Sequence, residues 1–185
     1  MKKEWIAVIA VVAVLLVAFI GGYNSLVSKE TKVEEEAANI DTQLQRRADL
    51  IPNLVSTVKG YTDHESTVFT EVTKARENLL AAGSMSEKSA ANDEVSTALS
   101  KLVAIAEDYP ELKADTVYVD LMDELSGTEN RISYARKSYN EAVASYNKAI
   151  KKFPGVLFAN MFGFEKAELF EASDSAQNVP EVSFE

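Results

Sequence analysis

The chain of 185 residues contains no cysteine, one histidine, seven glycines and four prolines. Without cysteine it has no disulfide framework, no thiolate zinc site and no cysteine nucleophile. The scarcity of glycine and proline leaves little material for the many turns that sheets require, so the composition favours helices. A formal net charge of −10 argues against nucleic acid as a partner, because that affinity depends on dense lysine and arginine.

Charged residues are also missing from a long stretch near the N terminus. Trp5 to Ile20 is apolar throughout, and the uncharged run continues to Ser28. At ~1.5 Å per residue this run is long enough to cross a hydrocarbon layer of ~30 Å. A cleaved signal peptide is the alternative, but its apolar region is usually shorter and its cleavage pattern is poor around residues 18–22. We predict an uncleaved single-pass anchor that contacts the bilayer through Trp5 to Gly22.

The lysines that flank this segment leave its orientation open. Lys2 and Lys3 before the span favour a cytoplasmic N terminus and an exported domain. Lys29 and Lys32 follow the span closely on the other side, so the count of positive charges is nearly equal.

A helical ladder with alternating steps of four and three follows the anchor. Its members are Leu26, Glu30, Val33, Ala37, Ile40, Leu44, Arg47, Ile51, Leu54, Val58, Tyr61, Glu65, Val68, Val72, Ala75 and Leu79, and all but three are apolar or aromatic. This period is typical of a helix that packs on other helices. We expect one long helix that kinks at Pro52 without changing phase, since proline removes one backbone hydrogen bond and crowds the previous turn. Gly60 is a second weak point.

Further helices are expected at about 87–108, 115–153 and 156–171. The first helix should stop near residues 81–84, Ser86 should cap the next one, and Pro110 should hold Tyr109 outside the α region. Helices with apolar stripes bury them against one another. The predicted fold is all-α: an N-terminal transmembrane helix and an elongated antiparallel bundle of three to four helices. The predicted divisions are an anchor at 1–27, a bundle at 28–171 and an extended or disordered tail at 172–185.

The candidate chemistry is sparse. His64-Glu65 resembles half of a helical zinc motif, but no second histidine completes it, so we expect no catalytic residues, metal or cofactor. The run 34–36 of three glutamates is interpreted as a solvated face.

Arg47 is the charged residue that the ladder would carry into the helix interface. A buried arginine usually needs a carboxylate, and Glu129 or Asp123 on a later helix are candidates. We favour a network that fixes helix register over a ligand site. The candidate polar network comprises Arg46, Arg47, Asp49, Glu129, Asn130, Arg136, Asn140 and Asn147, and Pro52 is the candidate kink.

The order of these residues resembles the LemA family of bacterial membrane-anchored helical proteins. The matching segments are Tyr23-Asn24-x-Leu26-Val27, Ile40-Asp41-x-Gln43-Leu44-x-Arg46-Arg47-x-Asp49-Leu50-Ile51-Pro52-Asn53-Leu54-Val55, Val58-Lys59-Gly60-Tyr61, His64-Glu65, Glu107-x-Tyr109-Pro110-x-Leu112-Lys113-Ala114, Thr128-Glu129-Asn130-x-Ile132, Ala135-Arg136-x-x-Tyr139-Asn140, Tyr146-Asn147 and Phe153-Pro154. The resemblance implies an N-terminal transmembrane helix, a bundle of about four helices and no established enzymatic activity. It also implies a cytoplasmic bundle, which conflicts with the inference from Lys2 and Lys3.

The leading functional hypothesis is a non-enzymatic, membrane-tethered bundle that holds a protein partner near the bacterial cell membrane. One alternative is a structural protein of the envelope that self-associates through its helix faces. The other is a bundle that binds a small anion or ligand near Arg47, Glu129 and Arg136. The sequence names neither the partner nor the process.

Overall fold

A computed structural model describes residues 2–62 and 64–171, and all the regular structure in that part of the chain is helical. The helices are α1 (Lys2–Lys59), α2 (Ser66–Ala81), α3 (Met85–Asp108), α4 (Pro110–Lys113), α5 (Thr116–Lys151) and α6 (Gly155–Phe162). The prediction of an all-α protein that begins with a long apolar helix is confirmed. The tail predicted at 172–185 lies outside the described residues.

Helix α1 runs from the apolar segment to Lys59 without a break, and Pro52 lies inside it. The large side chains from Trp5 to Ile20 are exposed, whereas ladder residues such as Leu26, Ile40 and Val58 are buried. Within the described residues, α1 is the one helix that is long and apolar enough to cross a membrane. The change from exposed to buried apolar side chains along one helix separates the candidate span from the packed core. A kink at Pro52 stays a prediction.

The prediction of one helix through to Leu79 was wrong. The chain turns between Lys59 and Ser66, where the amides of Gly60, Tyr61 and Thr62 bond back to the last turn of α1. Tyr61, a member of the ladder, is exposed, whereas its neighbour Thr62 is buried. A period of four and three does not show whether a helix is continuous, so the ladder alone could not reveal this turn.

The described chain forms two compact units. We call residues 38–137 with 168–171 the bundle unit, and residues 2–37 with 138–167 the aromatic unit. Each has its own buried side chains, among them Leu54 and Leu102 in the bundle unit and Val143 and Phe158 in the aromatic unit.

In the bundle unit, successive long helices run in opposite directions. Helix α2 returns along α1, since Phe69 lies beside Lys59 and Arg76 reaches Ala48. Helices α2 and α3 form an antiparallel pair, which the ion pair between Lys101 and Glu71 joins at 2.7 Å. The first part of α5 is antiparallel to α1, with contacts that join Tyr61 to Asp115 and Arg46 to Glu124. The unit is therefore an up-and-down bundle of four helices.

Local side chains set where these helices start. Ser84 caps α3 in a reciprocal capping box with Glu87, so the cap lies two residues before the predicted Ser86. Tyr109 has φ −122° and ψ 86°, outside the α region as expected before proline. Asp115 accepts from the amides of Val117 and Tyr118 and so caps α5.

The aromatic unit pairs the first part of α1 with the end of α5. Lys29 Nζ donates to Ser145 Oγ at 2.9 Å, and the Tyr146 hydroxyl donates to Glu30 Oε1 at 3.3 Å. Helix α6 follows a cis peptide bond between Phe153 and Pro154.

Helix α6 is shorter than the predicted helix at 156–171. Gly163 ends it with a left-handed φ of 76°, and residues 164–171 are not helical. The backbone amides of Gly163 and Phe164 both donate to Ala159 O, so this carbonyl at the helix end has hydrogen-bond partners. Glycine is favoured at position 163 because L-residues, which carry a Cβ atom, rarely adopt this φ.

Candidate functional site

The most buried charge in the bundle unit is the guanidinium of Arg47, whose residue is 5% exposed. Its Nη2 donates to Ser96 Oγ at 2.9 Å, and its Nη1 donates to Asn92 Oδ1. Glu129 Oε2 lies 2.8 Å from Nη1 and supplies the compensating charge. Arg47 therefore connects α1 with α3 and α5.

The pair between Arg47 and Glu129 is asymmetric. The arginine side chain is almost fully buried, whereas half of the glutamate side chain reaches solvent. The contact is an ion pair rather than an aligned hydrogen bond, since Glu129 Oε2 has no hydrogen-bond partner among the described residues. Arg47 Nε has none among them either. Burial lowers the pKa of Arg47, and the negative charges of Glu129 and Asp93 partly offset this effect. The guanidinium stays protonated, because an arginine pKa starts far above neutrality.

The partners on α3 were not among the predicted site residues. Asn92 and Ser96 are four residues apart, so they lie on one face of the helix and reach the same guanidinium. A signal for one of them was present. The apolar stripe of α3 includes Val95 and Leu99, and one step of three backwards from Val95 gives Asn92, a polar residue at a buried position.

The other predicted residues of the bundle unit lie nearer to solvent. Arg46 pairs with Glu124 rather than with the Arg47 network, and Asp49 accepts from Gln45 one turn earlier on α1. Asn130 is exposed and Arg136 is half-buried on α5. Of the two carboxylates proposed for Arg47, Glu129 makes the contact, whereas Asp123 is exposed.

The two predicted asparagines of the aromatic unit lie on α5. Asn147 bonds both backbone groups of one residue: its amide nitrogen donates to Ala167 O at 2.9 Å, and its Oδ1 accepts from Ala167 N at 3.0 Å. This pairing holds the non-helical segment after α6 against α5. Asn140 is half-buried on the same helix.

An open groove of about 510 Å³ begins at Arg47 and Glu129. Most of its remaining wall is apolar or carries hydroxyl groups: Ser96, Leu99, Ser100, Val103, Met122, Leu125 and Ser126. An anion in this groove would have to displace Glu129 from Arg47, which makes the arrangement better suited to fixing helix positions than to binding a ligand. Within the described residues, no group of acidic residues and histidine is placed to hold a metal ion.

A second groove, which we call the Tyr134 groove, has the chemistry of a contact surface. It has a volume of about 300 Å³ and is lined by Asn39, Gln43, Asn130, Arg131 and Tyr134. Tyr134 is 70% exposed, and Gln43 Oε1 is buried without a hydrogen-bond partner among the described residues. Tyrosine and arginine are frequent at the energetic centres of protein interfaces.

Comparison with known proteins places this architecture. The family model described as LemA family matches residues 36–184. The chain belongs to the LemA family. The match covers most of the chain, including the Arg47 network and the Tyr134 groove.

Relatives of this LemA-family protein cover a larger share of the chain than the family model does. Magnetosome protein MamQ of Magnetospirillum gryphiswaldense is 26% identical over 207 residues, which cover 94% of this chain and 76% of the relative. Magnetosome protein MamQ 2 of Paramagnetospirillum magneticum is 26% identical and covers 90% of this chain and 69% of its own length. Protein LemA of Metamycoplasma hominis is 23% identical and covers 90% and 76%. None of these names states a catalytic activity.

Proposed function

We propose that this LemA-family protein is a single-pass protein of the bacterial cell membrane whose helical bundle holds a protein partner close to the bilayer without catalysing a reaction. One observation carries the proposal: a single helix, α1, supplies both the exposed apolar segment and a member of the buried bundle. In this arrangement residues 1–27 are the anchor and residues 28–171 the helical domain that follows it.

The chemistry of the described residues supports a role in binding rather than catalysis. The most buried charge, Arg47, is already compensated by Glu129 and by side chains of α3. His64 is exposed, and its backbone amide donates to Thr62 Oγ1 at 3.4 Å. A general acid or base needs a partner within hydrogen-bond reach and a pocket that orients the substrate.

The Tyr134 groove is the surface that we assign to the partner. It combines an exposed aromatic ring, the guanidinium of Arg131 and the amide groups of three side chains. On binding, these polar groups can exchange their hydrogen bonds to water for hydrogen bonds to a protein partner, while the aromatic ring loses its contact with water.

The test is site-specific photocrosslinking in intact bacterial cells. A photoreactive phenylalanine analogue replaces Tyr134 in the full chain, and Val117, an exposed apolar residue on the same helix, is the matched control position. We expect a discrete crosslinked product in the membrane fraction from position 134 and none from position 117. Arg131→Ala in the position-134 variant should weaken this product without changing the amount of protein in the membrane.

Each result decides between the hypotheses. A crosslinked product of twice the mass of the chain would replace the partner hypothesis with self-association. Equal products from positions 134 and 117, or none from either, would exclude the Tyr134 groove as the interface. Recovery of the full chain in the soluble fraction would overturn the single-pass anchor.

A further inference from the structure

Helix α6 consists of Gly-Val-Leu-Phe-Ala-Asn-Met-Phe and contains no charged residue. It is joined to α5 by a tight corner. A Cβ atom on Gly155 would lie 2.1 Å from the carbonyl oxygen of Ala149, so only glycine allows the backbone to approach this closely. The close approach at Gly155 thus allows an apolar helix of eight residues to begin directly after the end of α5.

One face of α6 packs on the end of the candidate span in α1. The ring of Phe158 lies 5.0 Å from the ring of Phe19 in an edge-on contact, and the ring of Phe162 lies 4.8 Å from that of Tyr23. Gly22 makes room for this contact, since a Cβ atom there would lie 2.4 Å from Phe158 Cε2. Residues 19–23 belong to the uncharged run of α1. Helix α6 therefore lies at the depth at which the span ends.

The other face of α6 is uncovered and mostly apolar, with Asn160 as its one polar residue. Leu157 and Met161 are four residues apart, so they share one face, and they are 53% and 63% exposed. Phe153, in the corner before α6, is 80% exposed. Three large apolar side chains are thus exposed beside a segment that is itself suited to lipid.

The charged residues beside this surface are also suited to contact with lipid. Lys151 and Lys152 directly precede Phe153 and are exposed, so their ammonium groups can extend to lipid headgroups while the apolar side chains enter the acyl region. A water-facing surface of this kind would be an association hazard. Continuity with the span indicates lipid rather than protein as the occupant.

We propose that α6 and Phe153 form a second membrane contact, in which Leu157 and Met161 insert into the interfacial layer of the bilayer that α1 spans. The inference rests on the proposed single-pass anchor and deepens it. The protein would hold the bilayer at two points: a spanning helix, and a short helix packed against the end of that span.

The experiment uses the absence of cysteine in the chain. Single-cysteine variants of the full-length protein are labelled with a nitrobenzoxadiazole fluorophore and reconstituted into phosphatidylcholine vesicles, with or without lipids that carry a nitroxide quencher on the acyl chain. Met161→Cys and Leu157→Cys report on α6, and Val14→Cys reports on the span. Glu34→Cys is the matched control for water, since it is exposed on α1 at about 18 Å beyond Gly22 along the helix axis.

We expect the labels at positions 161 and 157 to emit at shorter wavelength and to be quenched several-fold more strongly than the label at position 34. Circular dichroism should show the same helix content for each labelled protein, which excludes unfolding as the cause of any difference in quenching. Quenching at position 14 with none at positions 161 and 157 would overturn the second contact and keep the anchor. Absence of quenching at position 14 would overturn the anchor itself. A short-wavelength emission at position 161 without quenching would mean that protein covers α6, and would also overturn the proposal.

Discussion

The bundle unit and the aromatic unit both join helices through polar bonds, but they differ in what else holds them together. The bundle unit buries a charge, Arg47, between α1, α3 and α5. In the aromatic unit, polar bonds such as that of Lys29 to Ser145 join α1 to α5, and four ring contacts join Phe19 and Tyr23 to the region of α6. A ring cluster beside exposed apolar side chains is what the proposed second membrane contact requires, whereas a buried, compensated charge needs only the helices around it. The two units should therefore respond to different substitutions.

The largest effect should come from removing the central charge of the bundle unit. Arg47→Ala leaves the buried Asn92 without its donor and Glu129 without its counter-charge, so we expect the free energy of unfolding to fall by about 3 kcal/mol. Urea unfolding of the full chain in detergent, followed by circular dichroism, measures the loss.

Two controls make this result specific. Arg46→Ala removes a neighbouring arginine whose ion pair with Glu124 is half-exposed, so it should cost less than about 1 kcal/mol. Arg47→Leu combined with Asn92→Leu removes donor and acceptor together and should recover most of the loss. Equal losses from Arg46→Ala and Arg47→Ala would show that burial of the charge has no special role.

The next effect should be confined to the aromatic unit. Gly155→Ala places a Cβ atom against the carbonyl of Ala149, so the corner between α5 and α6 must shift at a cost of about 1–3 kcal/mol. Amide hydrogen exchange should show faster exchange in residues 155–163 and unchanged exchange in α2 and α3. Gly21→Ala is the matched control, because a Cβ atom there meets nothing within 4 Å. Faster exchange in α2 and α3 as well would mean that the two units unfold together.

A smaller effect concerns the proline of α1. Pro52 has no amide hydrogen, so the carbonyl of Ala48 lacks its usual helical donor, and Arg76 Nε donates to this oxygen at 2.8 Å instead. Arg76→Met should therefore cost about 1 kcal/mol in the natural chain and much less in a Pro52→Ala background, where the backbone supplies a donor. The double-mutant cycle from urea unfolding gives the coupling energy. A coupling of zero would show that the two features are independent.

The sequence was most informative where apolar periodicity decides the structure. The stripes predicted the long helices because burial of side chains such as Ile40 and Leu102 depends on their spacing. Periodicity cannot detect a turn that preserves phase, which is why the break between Lys59 and Ser66 was missed. A single glycine at position 60 was the local signal.

The candidate sites were harder to predict because their residues come from distant parts of the chain. Arg47 was a ladder position, so its burial was expected, but nothing local pairs it with Ser96. The contact between Phe19 and Phe158 was missed for the same reason, since an aromatic residue in an apolar span looks identical whether it faces lipid or another ring. Spacing along one helix gives faces, whereas the pairing of faces depends on tertiary packing.

The smallest effect is confined to alkaline solution and to the aromatic unit. Tyr146 is buried there, and burial, with the negative charge of Glu30 and the hydrogen bond to it, raises its pKa to about 12. A raised folded-state pKa means that the stabilisation is fully present below the ordinary value of 10.0 and is lost as the pH rises from there towards 12. Tyr146→Phe should remove this share of the alkaline loss and make stability less dependent on pH.

The measurement is urea unfolding at several pH values between neutrality and 11, compared between the natural chain and Tyr146→Phe. Tyr134→Phe, at an exposed tyrosine of the bundle unit, is the matched control. The difference between the natural chain and Tyr146→Phe should be constant up to about pH 10, because neither state ionises the phenol there, and should shrink above it. A difference that stays constant throughout would show that the phenol of Tyr146 is not kept neutral by its surroundings. The alkaline sensitivity of the chain would then arise elsewhere, for example at Tyr118 of the bundle unit, where burial also raises the pKa.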